Sequence, residues 1–146
     1  KNDVYLYDLI ISDNLSHHDV RKTQMINRFP YQSSFKASEF LKSIAIKSAK
    51  NINKKYHIGR IVTGESFITE LKFKEKIIKD YNPHCVEMEG ASIAHVAYIN
   101  NIDFLVIRSI SDNANEETSL NDNIIQIASE NSGNLVLEML KNINSN

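Results

Sequence analysis

The sequence predicts an α/β fold with a largely parallel sheet. Apolar runs of strand length alternate along the chain with longer segments whose apolar residues recur every three or four positions. Carboxylates follow two of the predicted strands, at Glu87 and Glu89 and again at Asp112. Open α/β sheets bind ligands at the carboxyl ends of their strands, so a site is expected there. Without an internal repeat or a low-complexity linker, the chain is expected to form one domain.

The N-terminal third contains a predicted strand, a long loop and a helix. Residues 4–11, VYLYDLII, predict the strand, and the polar residues 12–34 predict the loop. Loops longer than about 15 residues in a compact domain are usually functional or disordered. The next helix is predicted over residues 37–51, with Phe40, Leu41, Ile44 and Ala45 on one side.

The middle of the chain contains two further predicted strands and a helix. A short strand over residues 58–63 ends at Gly64, where glycine permits a sharp turn. A lysine-rich helix is predicted over residues 70–81, and a strand over residues 84–88 follows Pro83.

The C-terminal part predicts a helix after Gly90, a buried strand over residues 104–107, and a last helix over residues 122–142. Asn121 is the expected N-cap of the last helix. The apolar positions expected to face the core in these two helices are Ile93, Val96, Ala97, Ile124, Ile127, Leu135 and Leu140.

Composition limits the possible classes of function. A chain of 146 residues that is 42% hydrophobic suits one domain, and a net charge of −1 gives no bulk attraction to nucleic acid or acidic lipid. The single Cys85 excludes an internal disulfide, and no run of about 18 apolar residues is present. We therefore expect a cytoplasmic protein that binds neither nucleic acid nor membrane. Because Lys1 stands in place of Met and a strand follows almost at once, we also expect a missing upstream part.

Glu87 and Glu89 are two positions apart, so on a strand they would share one face. Two carboxylates at a buried strand end are unfavourable unless they bind something. Alternatively, Glu89 simply opens the next helix, where the helix dipole favours a carboxylate. Arg108 interrupts an apolar strand and needs a partner, so it is either a structural ion pair or part of a site.

Two other residues also allow two interpretations each. Asp112 is either a functional carboxylate or the cap of a turn or helix, a common role in Ser-Asp-Asn sequences. Phe67 either stacks on a planar heterocycle or lies in the core. His17 and His18 have no further ligands at suitable spacing, so we expect no zinc site there, and His95 is expected to be a packing residue.

Three segments carry a resemblance to a known family: IVTGESFI at 61–68, VEMEGA at 86–91 and VIRSISD at 106–112. In this order and spacing they resemble the 5′-methylthioadenosine/S-adenosylhomocysteine nucleosidases of the purine nucleoside phosphorylase superfamily. The resemblance implies a three-layer αβα fold with a mixed, largely parallel central sheet, incomplete here at its N-terminus. Residues 1–146 would then be the C-terminal two-thirds of a single nucleosidase domain.

The resemblance also implies an activity. Family members hydrolyse the N-glycosidic bond of 5′-methylthioadenosine and S-adenosylhomocysteine, and in some cases of 5′-deoxyadenosine, in methionine salvage. Adenine is released together with methylthioribose or S-ribosylhomocysteine, and the enzyme is a homodimer that uses no metal or organic cofactor. By this resemblance Asp112 is the catalytic acid that protonates adenine. The residues implied to bind substrate are Phe67, Ile68, Glu87, Met88, Glu89, Arg108 and Ser111.

The chain departs from the family pattern in three places. The water-activating glutamate of the family belongs to the N-terminal part that is absent here, so this chain alone is expected to be inactive. Residues 121–123, NDN, replace an aromatic residue that closes over the alkylthio group. The loop after His18 is slightly short, and Val20 and Pro30 are candidates to reach the partner's site in a homodimer.

Alternative functions remain open. The chain could belong to a purine nucleoside phosphorylase or to another nucleosidase of the superfamily. It could also be a non-catalytic binding module on the same scaffold that binds a polyanion through the basic residues Arg21, Lys22 and Arg28.

Overall fold

The central strand of the sheet, β1 (Leu9–His17), is hydrogen-bonded to strands on both of its sides in a computed structural model that describes residues 3–112 and 121–143. Strands and helices alternate along these residues, as predicted. The strands are β1 (Leu9–His17), β2 (Phe35–Lys36), β3 (Tyr56–Thr63), β4 (Cys85–Glu87) and β5 (Ile107–Ser109). The helices are α1 (Lys22–Asn27), α2 (Glu39–Asn51), α3 (Leu71–Tyr81), α4 (Gly90–Ile99) and α5 (Asp122–Ile143).

The sheet is mixed. Strands β1, β3 and β4 are parallel and adjacent, whereas β2 and β5 both pair with β1 in the antiparallel sense. In this register Thr63 is the neighbour of His17 on one side and of Glu87 on the other, so the carboxyl ends of three strands lie side by side.

Helices cover both faces of the sheet. Leu9 and Ile11 of β1 pack against α2 and α5, whereas Ile10 and Leu15 belong to the cluster formed with α4. Alternate residues of one strand therefore face opposite helical layers. This arrangement confirms the predicted three-layer α/β fold with a mixed central sheet, in which two of the four strand pairings of the described residues are parallel.

The predicted bounds of the first strand are wrong at both ends. The strand begins at Leu9 rather than residue 4 and continues to His17, through residues predicted to be loop. The polar side chains of this part have partners: Ser12 Oγ accepts from the Val106 amide at 2.9 Å, and Asn14 Oδ1 accepts from Arg60 Nε at 2.7 Å. The polar sequence indicated a loop, but these residues form a buried strand because tertiary contacts override the local sequence pattern.

The predicted buried faces of the helices are partly wrong. In α4 the small residues Gly90, Ala91 and Ala94 face the sheet, while Ile93 and Val96 are exposed. A Cβ at Gly90 would lie 2.9 Å from Leu15 Cδ2, so this helix lies too close to β1 for larger side chains. Phe40 and Leu140, each on an outer part of its helix, are also exposed instead of buried.

Polar side chains cap both long helices, at Asn121 as predicted and at Ser38, where the helix was predicted to begin one residue earlier. Ser38 Oγ accepts from the Leu41 amide at the start of α2, and Asn121 Oδ1 accepts from the Asn123 amide at 2.9 Å at the start of α5. Among the residues that the structure describes, no helix has the length and apolarity to cross a membrane.

Candidate active site

A cavity of about 620 Å³ opens where β3, β4 and β5 end. All the residues that the sequence singled out for catalysis or substrate binding line this one cavity, although they come from three separate segments. They are Phe67, Ile68, Glu87, Met88, Glu89, Arg108, Ser111 and Asp112.

Arg108 links the two glutamates. Its Nε donates to Glu87 Oε2 at 3.1 Å, and its Nη2 donates both to Glu87 Oε2 and, at 2.8 Å, to Glu89 Oε2. Burial disfavours the Arg108 cation, but the hydrogen bonds that Arg108 donates to Glu87 and the negative charges of Glu87 and Glu89 outweigh burial, so the pKa of Arg108 is raised. β4 and β5 are separated by two strands in the sheet order, so the sheet must curl to allow this contact.

The carboxylate of Glu87 is surrounded by protein donors. Only 9% of its side chain is exposed, and it accepts from Thr63 Oγ1, from Arg108, and from the Gly90 amide at 2.7 Å and 2.9 Å. A carboxylate has about four acceptor positions, and these donors use them. We therefore infer that Glu87 orients Arg108 and caps α4, where the dipole favours its negative charge.

Glu89 has a different environment. Its side chain is 64% exposed and forms no cap hydrogen bond, although the residue itself is the N-cap of α4. Arg108 fixes one of its oxygens, and its exposure leaves it able to accept from a ligand hydroxyl. Both carboxylates of the VEMEG sequence line the cavity, and Glu89 is much the more exposed of the two.

Phe67 and Ile68 follow β3 and have opposite environments. Ile68 is buried in a cluster with Val62, Ile77 and Tyr81, whereas Phe67 is 68% exposed. The buried residue anchors the segment, and the neighbouring ring is left on the cavity wall. A core role for Phe67 is therefore excluded by its exposure.

Gly64 has a different role from the one predicted. None of the described glycines has a positive φ, so a left-handed turn does not explain it. A Cβ at this position would instead lie 2.2 Å from Nε2 of His18. The glycine makes room for a histidine ring beside the segment that carries Phe67.

Asp112 follows β5 and lines the cavity together with Ser111. The Ser111 hydroxyl donates to Asp112 Oδ2 at 3.5 Å, and both side chains are half-buried. Helix α5 begins at Asp122, so Asp112 is not its N-cap.

His17, His18 and His95 are partly buried, and the predicted packing role of His95 agrees with its contacts. The His95 ring stacks on Phe35 with a centroid distance of 4.8 Å, and its edge faces His17 at 6.2 Å. Burial lowers the pKa of both His17 and His18. No group of three or more potential metal ligands occurs in the described parts of the chain.

Sequence reasoning missed several residues of the cavity. Cys85 and Lys74 line it, and so does a surface of α5 that includes Ser129 and Ser132. Thr63 is outside the cavity lining but is hydrogen-bonded to Glu87, and it was also missed. The available signal was its position at the end of an apolar strand, directly before the Gly64-Glu65-Ser66 turn sequence. Burial raises the pKa of the Cys85 thiol to about 12, with a smaller contribution from Glu87.

Comparison with known sequences adds independent findings. Residues 1–141 match the family model described as the phosphorylase superfamily. The chain is 34% identical to a 5′-methylthioadenosine/S-adenosylhomocysteine nucleosidase of Oceanobacillus iheyensis, with 97% of this chain and 65% of the relative covered. A nucleosidase of the same name from Listeria monocytogenes is 35% identical, with 93% and 63% covered. The chain thus spans just under two thirds of these relatives.

Solved structures show the same architecture. The Streptococcus pneumoniae methylthioadenosine/S-adenosylhomocysteine nucleosidase, in complex with 8-aminoadenine, superposes with a TM-score of 0.84 at 32% identity, covering 97% of this chain and 64% of the other. The futalosine hydrolase of Helicobacter pylori gives a TM-score of 0.86 at 28% identity, covering 97% and 63%.

Proposed function

This chain belongs to the phosphorylase superfamily, and on that premise we propose that it forms the adenine-binding part of a 5′-methylthioadenosine/S-adenosylhomocysteine nucleosidase. One observation carries the proposal: Phe67 and Asp112 line the same cavity. An aromatic ring can stack on a purine while a carboxyl group donates to its edge. The relatives named for this activity, at 34% and 35% identity, support the same substrate class.

The reaction would proceed by loss of the base. The C1′–N9 bond breaks, its electron pair goes to adenine, and Asp112 gives a proton to N7, which makes adenine a neutral leaving group. Ser111 holds Asp112 through its hydroxyl. The backbone of Ile68 would contact the edge of the purine.

The sugar would develop positive charge as the base leaves. Glu89, held by Arg108, would accept from a sugar hydroxyl and favour that charge, with Met88 packed against the ribose. A water then adds to C1′ and gives its proton to a base. The resemblance assigns that base to a glutamate upstream of the matched segments.

The substitution Asp112→Asn in the full-length protein tests the proposal. Adenine release from 5′-methylthioadenosine should fall by about 10²–10⁴-fold, as expected for loss of a general acid. The far-UV circular dichroism and thermal midpoint should stay close to wild type, which is the control for folding. Near-normal turnover in this variant would refute the role of Asp112.

A phosphorylase is the competing activity. Adding inorganic phosphate to the full-length protein and assaying for a sugar 1-phosphate separates the two, because hydrolysis gives the free sugar at any phosphate concentration. Futalosine should be assayed beside 5′-methylthioadenosine, because a futalosine hydrolase shares the fold.

We also infer that the protein is a homodimer in the cytoplasm. Helix α4 and the turn after it expose five large apolar or aromatic side chains, and clusters of exposed apolar residues often mark interaction surfaces. A Val96→Glu substitution should convert the dimer to a monomer in sedimentation velocity, and a wild-type monomer would contradict the inference. The exposed residues are Ile93, Val96, Tyr98, Ile99 and Ile102.

A further inference from the structure

Thr63 ends β3 with only 2% of its surface exposed, and its hydroxyl makes two hydrogen bonds. It accepts from the Ala91 amide of α4 at 2.8 Å, and it is hydrogen-bonded to Glu87 Oε1. The amide can only donate and the hydroxyl has one proton, so that proton must point at Glu87. The direction of both bonds is therefore fixed.

From Thr63 a chain of hydrogen bonds leads to the exposed carboxylate of the cavity. Thr63 holds Oε1 of Glu87, while Arg108 holds Oε2 of the same carboxylate. Arg108 Nη2 then donates to Glu89 at 2.8 Å. Each member fixes the orientation of the next, because the guanidinium is a rigid planar fork.

We propose that Thr63 is a positioning residue that places Glu89 for the sugar by orienting Glu87 and Arg108. This inference rests on the proposed function, since it takes Glu89 as the contact to the sugar hydroxyls. We expect the Thr63 hydroxyl to have no role in binding adenine, because Phe67 and Asp112 are outside this chain of hydrogen bonds.

A valine at position 63 would keep the shape of the side chain but remove its hydroxyl. The buried Ala91 amide would lose its acceptor and Glu87 would lose one donor. The Glu87 carboxylate could then rotate, and Arg108 would no longer hold Glu89 in one place. Serine would keep both hydrogen bonds and is the matched control.

The test compares nucleoside turnover with adenine binding in the full-length protein. For Thr63→Val we expect kcat/KM for 5′-methylthioadenosine to fall about tenfold or more, as for a lost hydrogen bond to a charged group, while the Kd for adenine changes less than about twofold. Thr63→Ser should retain kcat/KM within about threefold of wild type. Should Thr63→Val fail to fold, Thr63→Cys, a weaker donor of similar size, should show the same difference between the two readouts.

A double-mutant cycle separates positioning from a purely structural role. If Thr63 acts through Glu89, Thr63→Val should have little further effect on kcat/KM in a Glu89→Gln background. Additive losses, equal losses of adenine and nucleoside affinity, or wild-type turnover in Thr63→Val would each overturn the proposal. A wild-type protein that releases no adenine would instead overturn the proposed function, and this inference with it.

Discussion

The ring of His18 fills the space in which Gly64 would carry a side chain: a Cβ there would lie 2.2 Å from Nε2 and 2.3 Å from Cε1 of the ring. The backbone of His18 is fixed as well, because its amide donates to the Thr63 carbonyl at 2.9 Å. The end of β1 is thereby packed against the segment that carries Phe67. We therefore expect the position of Phe67 on the cavity wall to depend on this contact.

Replacing Gly64 by alanine should therefore displace either the His18 ring or the Phe67 segment. We expect the free energy of unfolding to fall by about 1–3 kcal/mol, as for other overpacked sites, and adenine binding to weaken. Urea denaturation and adenine titration measure the two effects.

Two controls accompany this prediction. A Cβ at Gly133 in α5 would meet nothing within 4 Å, so Gly133→Ala should stabilise the protein by about 0.5–1 kcal/mol. Adding His18→Gly to Gly64→Ala should recover adenine binding, because removal of the His18 ring leaves room for the new Cβ at position 64. A Gly64→Ala protein as stable as wild type, with unchanged adenine affinity, would show that the contact does not matter.

The two glutamates of the VEMEG sequence should respond differently to amidation. Glu87→Gln puts an amide among the donors Thr63, Gly90 and Arg108, and we expect the free energy of unfolding to fall by about 2 kcal/mol. Glu89→Gln is exposed and should change stability by less than about 0.5 kcal/mol, while kcat/KM falls. A larger loss of stability in Glu89→Gln than in Glu87→Gln would contradict these roles.

The clustering of the candidate site residues could be predicted from the sequence because these residues lie at or just after the ends of strands. Glu89 follows β4 and Asp112 follows β5, and both line one cavity with Phe67, as expected for an α/β sheet. The sequence could not predict that Glu87 would be buried among protein donors while Glu89 would be exposed. This difference depends on Thr63 and on the curl of the sheet, and no local pattern encodes either of these.

The extent of β1 and the orientation of α4 could not be predicted, for two physical reasons. Ser12 and Asn14 are polar yet belong to a central strand, because partners distant in sequence satisfy them. In α4 apolar residues occur around most of the helix, so periodicity does not identify the buried side. Close packing then selects Ala91 and Ala94 over the larger Ile93.

Stability should fall as the pH is lowered from 7.5 to 5.5. Burial lowers the pKa of His17 and His18 below the ordinary value of 6.5, and the negative charge of Asp19 only partly opposes this effect. As the pH falls through 6.5, these two histidines therefore become protonated in the unfolded chain before they do so in the folded protein. The folded state loses stability until its own histidines are protonated as well. Asp8 and Asp13, with pKa values lowered from 3.8, do not titrate in this range.

The variant His18→Gln tests the source of this pH dependence. Since glutamine does not titrate, urea denaturation at the two pH values should give a smaller difference in unfolding free energy than in wild type. His17→Gln should also reduce the difference, and the double variant should reduce it further. Equal wild-type stability at pH 5.5 and 7.5 would refute the assignment.

The thiol of Cys85 should be unreactive although it lines the cavity. Burial is the main cause that raises its pKa to about 12, Glu87 adds to the effect, and Arg108 opposes it. The thiolate is the reactive form, so at pH 8 only roughly one thiol in ten thousand would be ionised. Iodoacetamide should therefore label the folded protein far more slowly than the urea-unfolded protein, in which the thiol has its ordinary pKa. Equal labelling rates at pH 8 would mean that the thiol is not desolvated, and the cavity wall around Cys85 would then be open to water.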